Sequence, residues 1–263
     1  MPDPEVPDPE VPHPDVTVEV ADHVAVVELH RPPDNFFDAA LVAAVADAVE
    51  QAADDGHRAV VLCSEGKNFC AGAAIGTGGD DPTRTPMALY RQGVRLFAGP
   101  LPVVAAVQGA AVGGGLGLAL AADFRVATPE SRFHCNFARL GFHHGFGTTV
   151  TLPAVVGQQR AWELLYTGGQ ARGEEALRIG LCDRLVPADQ LRPAALALAA
   201  DIAASGPLAV RAIRQTVRAD LVHQVRLAVE REAEAQLALV GTDDFAEGVR
   251  ATAERRPPRF TGH

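Results

Sequence analysis

The stretch from residue 134 to residue 147 gathers three of the nine histidines, side chains that could move a proton near neutral pH. His134, Asn136, Arg139, His143 and His144 fall within it, and Gly141 and Gly145 bound the histidine pair. Neighbouring loop residues point apart, so at most one of the pair faces a common ligand. A histidine at such a place reads as an acid or base, or as an imidazole satisfied by backbone or water. His134, His143 and His144 lack a usual metal-ligand spacing, and no metal is expected. Cys70 and Cys135 could act as nucleophiles, although a free cysteine commonly serves as a small buried apolar side chain.

A second constellation is the run Gly113-Gly114-Gly115-Leu116-Gly117, read as following a strand and opening a helix. The dinucleotide pattern GxGxxG fails, because position 118 is Leu, and the phosphate-loop pattern fails for want of a lysine. Two readings remain. Glycines let a ligand oxygen approach the backbone, where the first N–H groups of a helix are unpaired and carry partial positive charge. Such donors suit a developing oxyanion. The alternative is close packing of the helix against its neighbours.

The elements that position these residues are legible from periodicity. Val16–Val20 and Val24–Leu29 are β-branched runs around Ala21-Asp22-His23 and predict a hairpin. Leu41–Ala53 has helical spacing. Ala59–Cys63, Val103–Val107 and Phe124–Ala127 read as short strands, and Glu174-Glu175 as the opening of a helix. Leu191–Ser205, Leu208–Glu234 and Asp243–Arg255 read as alanine-rich helices, the last capped by Asp243-Asp244 and stopped by Pro257-Pro258. Strands alternating with helices predict an α/β core. The expected organisation is a disordered Pro/acidic tail over 1–15, an α/β core over 16–195 and a helical oligomerisation region over 196–263.

Composition narrows the partners. The chain has 263 residues, 48 % of them hydrophobic and 21 % charged, which excludes disorder for its bulk. A net charge of −10 offers no footprint for nucleic acid or an anionic membrane surface. Four cysteines without a CxxC read as reduced thiols and suggest a cytoplasmic setting. Leu101–Ala122 is long and apolar enough for a membrane span, yet Pro102 and five glycines favour a buried strand, turn and helix. The first residues lack the basic and apolar regions of a signal peptide.

Several ordered motifs carry a family resemblance. They are Phe69-x-Ala71-Gly72-Ala73-x-Ile75, Gln108-Gly109-Ala110-Ala111-Val112-Gly113-Gly114-Gly115, Ala122-Asp123-Phe124-Arg125-Val126-Ala127, Leu140-Gly141-Phe142, and Glu174 through Pro187. Together they resemble the crotonase (enoyl-CoA hydratase/isomerase) superfamily from about residue 16 onward. The resemblance implies a spiral of ββα repeats with a C-terminal helical trimerisation region, a homo-trimer or hexamer, and an acyl-CoA thioester as ligand. Coenzyme A enters as part of the substrate, with no other cofactor. The implied oxyanion hole is the backbone N–H of Ala73 and of Gly114. Asn35, Phe36, Ile75 and Phe137 are the implied substrate contacts, and Gly76 stands where hydratases commonly carry a lysine.

Two departures are specific. Hydratases of this family hold a water with two glutamates, whose positions here are Gly117 and Phe137. No carboxylate compensates between Phe133 and Gly147. The expectation is an enzyme that forms a thioester enolate without being a standard hydratase, with His143 or His144 as acid or base. Isomerisation, decarboxylation, hydrolysis and an unusual hydration all stay open. The alternative is a non-catalytic acyl-CoA-binding protein, and a third is a structural subunit beside an active paralogue. Phe133, Phe137, Phe142 and Phe146, spaced by about four residues, read as core or as an acyl-chain wall.

Overall fold

The computed structural model describes residues 14–75 and 83–263. The tail expected over 1–15 lies almost wholly outside the described residues. In chain order the elements begin with β1 (Val16–Ala21), β2 (Val24–Leu29), α1 (Ala39–Asp54), β3 (Ala59–Ser64) and α2 (Pro86–Ala98). β4 (Val103–Val107), β5 (Ala110–Val112), α3 (Gly114–Ala121), β6 (Phe124–Ala127) and β7 (Arg132–His134) follow. A 3-10 turn over Asn136–Leu140 leads to α4 (Thr148–Val156), α5 (Gln158–Thr167), β8 (Gln170–Arg172), α6 (Gly173–Arg178) and β9 (Arg184–Leu185). Three helices close the chain: α7 (Leu191–Ala203), α8 (Pro207–Leu239) and α9 (Asp243–Ala253).

The β-branched runs pair as expected, antiparallel, with Val16 opposite Leu29 and Asp22 turning the hairpin at φ +53°. Strands β3, β4, β6 and β9 then add in parallel, giving the order β1-β2-β3-β4-β6-β9. Every residue of β3 and of β4 is buried. Helices on both faces explain this, since a parallel sheet has no solvated side. One face packs α1, α2 and α3 through residues such as Leu41, Val45, Phe97 and Leu116. The other face packs α7, whose Leu191, Ala195, Ala199 and Ala203 meet Val61, Val104 and Val126. A second, three-stranded sheet of order β5-β7-β8 stands apart from the first.

Two expectations are corrected, and a third is met with one added short strand. The boundary at 195/196 falls inside α7, which is a layer on the sheet; the separate helical part starts at α8. The cap of α9 is Thr242, whose Oγ1 accepts the Phe245 N–H at 3.1 Å, while Asp243 and Asp244 fill the first turn. The apolar stretch from 101 to 122 divides into β4, β5 and α3, all inside the protein. Short β5 escapes periodicity because three residues of small apolar type have no readable period. Among the described residues no single helix is long and apolar enough to cross a membrane.

The long helix α8 is tied to the core by arginines one or two turns apart. Arg211 donates to the carbonyls of Ala53 and His57, Arg214 to that of Gly99, and Arg218 to that of Ala121. These carbonyls lie at the C-terminal ends of α1, α2 and α3, where the helix dipole favours cations. Asp123 joins the network, accepting from Arg214 Nε at 2.9 Å, Arg218 Nη1 at 2.6 Å and the Val103 N–H at 2.8 Å. Asp123 is therefore structural, as its place after a buried helix suggests.

Candidate active site

The loop after β3 and the turn from β5 into α3 are stitched together. Cys70 N–H donates to Ala110 O, and Val112 N–H to Cys70 O, each at 3.0 Å. On its other side the loop pairs with residue 37, through Phe37 N–H to Gly72 O at 3.0 Å and Ala74 N–H to Phe37 O at 3.1 Å. Gly72 sits at φ +104°, and a Cβ there would lie 2.8 Å from Val112 O and 3.7 Å from Gly114 N. Only glycine permits both that backbone and that approach. Two neighbouring donors are spent, Ala71 N–H on Asp34 O and Gly113 N–H on His134 O. The N–H groups of Ala73 and Gly114 donate to no other described residue. Both residues line one cavity. Gly114 opens α3, so its N–H adds the positive end of a helix to the pair.

The rest of the wall is apolar and aromatic. Phe37, Leu89, Leu140, Phe142 and Phe146 line it, with Ile75 and Phe137 as expected. Phe146 explains Gly117: a Cβ at 117 would lie 2.6 Å from Phe146 Cβ and 3.0 Å from its Cδ1. The Phe146 ring also packs on Phe37, Tyr90 and Phe97 at centroid distances of 5.4, 6.4 and 6.2 Å. So Phe146 fills the space beside Gly117, and Phe137 stands in the cavity wall. Phe133, by contrast, is core and does not reach the cavity. Helix α9 backs the wall, with the Phe245 ring tilted against Phe142 at a centroid distance of 4.7 Å.

Four polar side chains face the cavity that chain periodicity did not single out, or did not rank: Thr83, Tyr90, Gln236 and Asn136. Tyr90 Oη donates to Gln236 Oε1 at 2.7 Å, and Gln236 Nε2 donates to His143 O at 2.9 Å. Burial pushes the Tyr90 phenol well above its usual range. The apolar spacing of α2 and of α8 carried the signal for both residues. The Asn136 Oδ1 is buried and has no hydrogen-bond partner among the described residues.

Four sequence-predicted residues are placed elsewhere. His143 and His144 do not line the cavity. His143 Nδ1 donates to the His144 carbonyl at 2.7 Å, and the two rings stack at 4.1 Å. His144 Nε2 meets Thr149 Oγ1 at 2.9 Å, and that hydroxyl donates to Glu232 Oε1 at 2.6 Å. The hydroxyl proton being spent, His144 Nε2 is the donor. Glu232 also accepts the N–H groups of Gly147 and Thr149, at 2.8 and 3.0 Å, so it caps α4. The histidines thus belong to the packing of α4 on α8. Burial, and then the His143 charge, push His144 down to about 4. Asn35 is fully buried and staples its loop, with Nδ2 donating to Glu65 O at 2.8 Å and Asn68 O at 2.7 Å. Phe36 is exposed and off the wall. The thiols of Cys70 and Cys135 are pushed up to about 12 by burial, which removes them as nucleophiles near neutral pH. Among the described residues no cluster of three His, Cys, Asp or Glu could hold a metal.

This arrangement of an apolar cavity with two free backbone donors can be set against known proteins. Residues 19–263 match the family model described as enoyl-CoA hydratase/isomerase. A protein of Rhodobacter capsulatus named as a probable enoyl-CoA hydratase is 34 % identical over 252 residues, covering 94 % of this chain and 98 % of its own length. The crotonyl-CoA hydratase of Syntrophomonas wolfei is 32 % identical over 252 residues, with 93 % and 97 % covered. The solved enoyl-CoA hydratase/isomerase of Pseudoalteromonas atlantica T6c superposes with a TM-score of 0.84 at 29 % identity, over 94 % of this chain and all of that one. An enoyl-CoA hydratase from Mycobacterium avium subsp. paratuberculosis gives 0.83 at 30 % identity, over 94 % and 98 %. With the motifs, the paired loops and the fold in agreement along nearly the whole chain, it belongs to the enoyl-CoA hydratase/isomerase family, the crotonase superfamily.

Proposed function

We propose that this chain binds an acyl-CoA thioester in the cavity and stabilises negative charge on the thioester oxygen, as an enzyme other than a standard hydratase. The observation that carries this is the pair of unpaired N–H groups, Ala73 and Gly114, held rigid beside one apolar space. Donors fixed in advance need no reorganisation as charge develops, and one such donor is typically worth about 10²–10³ in rate. Water activation lacks its parts: Phe146 fills the space beside Gly117, and Phe137 stands in the wall. General acid–base groups typically contribute about 10²–10⁴-fold, which this site forgoes. The assembly we propose is a homo-trimer or hexamer in the cytoplasm, with coenzyme A as part of the substrate and no further cofactor.

A second reading is a non-catalytic acyl-CoA-binding protein. One observation favours it: among the described cavity residues only Tyr90 is titratable, and it is held protonated. Calorimetry with butyryl-CoA and crotonyl-CoA, with mass spectrometry of the same samples, tests the reading. Both thioesters should bind and crotonyl-CoA should stay unhydrated. Ala73→Pro deletes one donor that no described residue uses, and should cut any turnover about 10²–10³-fold with the fold intact. Rapid hydration of crotonyl-CoA overturns the exclusion of hydratase chemistry; failure of both thioesters to bind overturns the reading altogether.

A further inference from the structure

Away from the cavity, the structure holds a second set of donors without acceptors. At the end of α2 opposite Tyr90, the residues up to Pro100 and one stripe of α8 form an open groove, bordered by Arg211, Arg214, Arg218 and Arg226. Arg214 and Arg218 are only 6 and 8 % exposed. Arg211 Nε, Arg214 Nη2 and Arg218 Nε are enclosed and have no acceptor among the described residues. A buried donor without an acceptor is costly. Arg226, on the same stripe, has no hydrogen bond or ion pair among the described residues.

The charges of this groove do not cancel. Asp123 is the one carboxylate that pairs with these arginines among the described residues. The ends of α1, α2 and α3 supply roughly half a negative charge each, so roughly one and a half of the four positive charges stay unbalanced. Burial pulls Arg214 below its ordinary value although Asp123 opposes the shift. The arginines at α9 behave differently, since Glu247 pairs with both Arg250 and Arg256 there. A chain of net charge −10 does not need the surplus for solubility. The exposed Ile213 and Val217 lie about 100° round α8 from Arg214 and Arg218, so the groove opens on a different face from that apolar pair.

We propose that this groove is a binding site for an oxyanion of the phosphate class, separate from the thioester cavity. Arg226 meets the anion from the rim. Arg211, Arg214 and Arg218 hold it from the floor, through N–H groups that Asp123 and the helix ends leave unused. Those N–H groups are covered by protein atoms, so binding turns the guanidinium ends toward the groove. The planar fork of arginine matches the oxygens of a phosphate. A doubly charged phosphate suits the surplus better than chloride or a single carboxylate, which carries one charge.

Calorimetry with inorganic phosphate, at an ionic strength held constant with chloride, tests the site. One saturable site per chain, half-filled below about 1 mM, is expected. Arg226→Gln should weaken binding about 10-fold, the worth of one hydrogen bond to a charged group. Arg178→Gln makes the same change of charge at an exposed residue of α6, and should alter binding less than about twofold. Both variants should keep the natural thermal midpoint without phosphate, because neither side chain holds the core. Glycerol 3-phosphate shows the source of the ligand: competition with inorganic phosphate assigns the groove to phosphate esters, failure to compete assigns it to the free ion, and either supports the site. Displacement of phosphate by butyryl-CoA overturns a separate site, since the phosphates of that molecule would then fill the groove. Absence of saturable binding overturns the proposal and leaves the arginines purely structural. Equal weakening by Arg226→Gln and Arg178→Gln also overturns it, by showing attraction to overall charge alone.

Discussion

At the scale of single residues, the site is defined by exchanges of type. Phe137 and Phe146 line the cavity, and the charge stabilisation we propose comes from the backbone. His144 shows how burial redirects a titratable residue. Its folded-state value of about 4 lies below the ordinary 6.5, so between those values the unfolded chain binds the extra proton. Stability therefore falls as pH drops from about 6.5 toward 4 and is insensitive to this group above that range. The groups facing it are His143, whose charge adds to the effect, and Glu232, reached through Thr149, which burial pushes upward. Denaturant unfolding of the natural protein should lose roughly 1–3 kcal/mol more than His144→Gln between pH 7.5 and pH 4.5. Parallel curves for the two proteins would show the imidazole to be as solvated as it is in the unfolded chain.

At the scale of elements, α8 is the organiser. It presents Arg211, Arg214 and Arg218 to the ends of three core helices, and Gln236 and Glu232 to the loop behind the cavity. Asp123 is the counter-charge for two of these arginines, whose side chains are almost wholly buried. Asp123→Ala leaves both guanidinium groups uncompensated and should cost about 3–5 kcal/mol, the usual loss when one partner of a buried pair is removed. Thermal and denaturant unfolding measure it. A change under about 1 kcal/mol would mean that water reaches the arginines. The shift of the boundary from 195 to α8 belongs to this scale too. Helix α7 carries the same alanine-rich spacing as α8, and only its partner, a buried sheet face, tells them apart.

At the scale of the whole molecule, α8 also leaves apolar side chains in solvent: Leu208, Ile213 and Val217 are 80, 61 and 71 % exposed. Tyr166 is 73 % exposed and stacks on Trp162. In an acidic chain otherwise well covered by charge, such surface is consistent with the proposed trimer. Light scattering should give a mass near three times 27.6 kDa, or twice that again for a hexamer. Ile213→Glu with Val217→Glu should bring it toward a single chain while the far-ultraviolet spectrum stays helical. A single-chain mass for the unaltered protein would end the trimer reading.

Periodicity along the chain was enough for the hairpin, the three central strands, α1 and the C-terminal helices, because each buries one face and the pattern of burial is written in residue order. Motif spacing was enough to bring Ala73 and Gly114 to one cavity, because the two loops that carry them pair through their backbones. What faces the cavity was not legible in the same way. His143 and His144 lie in the right loop, but their direction depends on Thr149 and on Glu232, 83 residues further on. Asn35 has a polar side chain that three local backbone groups consume. Tyr90, Gln236 and Phe146 meet at one wall only after α2, α8 and the loop before α4 have packed. Order along the chain decides which residues can be buried or bent; contacts between distant segments decide which of the remaining groups stay unpaired, and only the unpaired groups can act on a ligand.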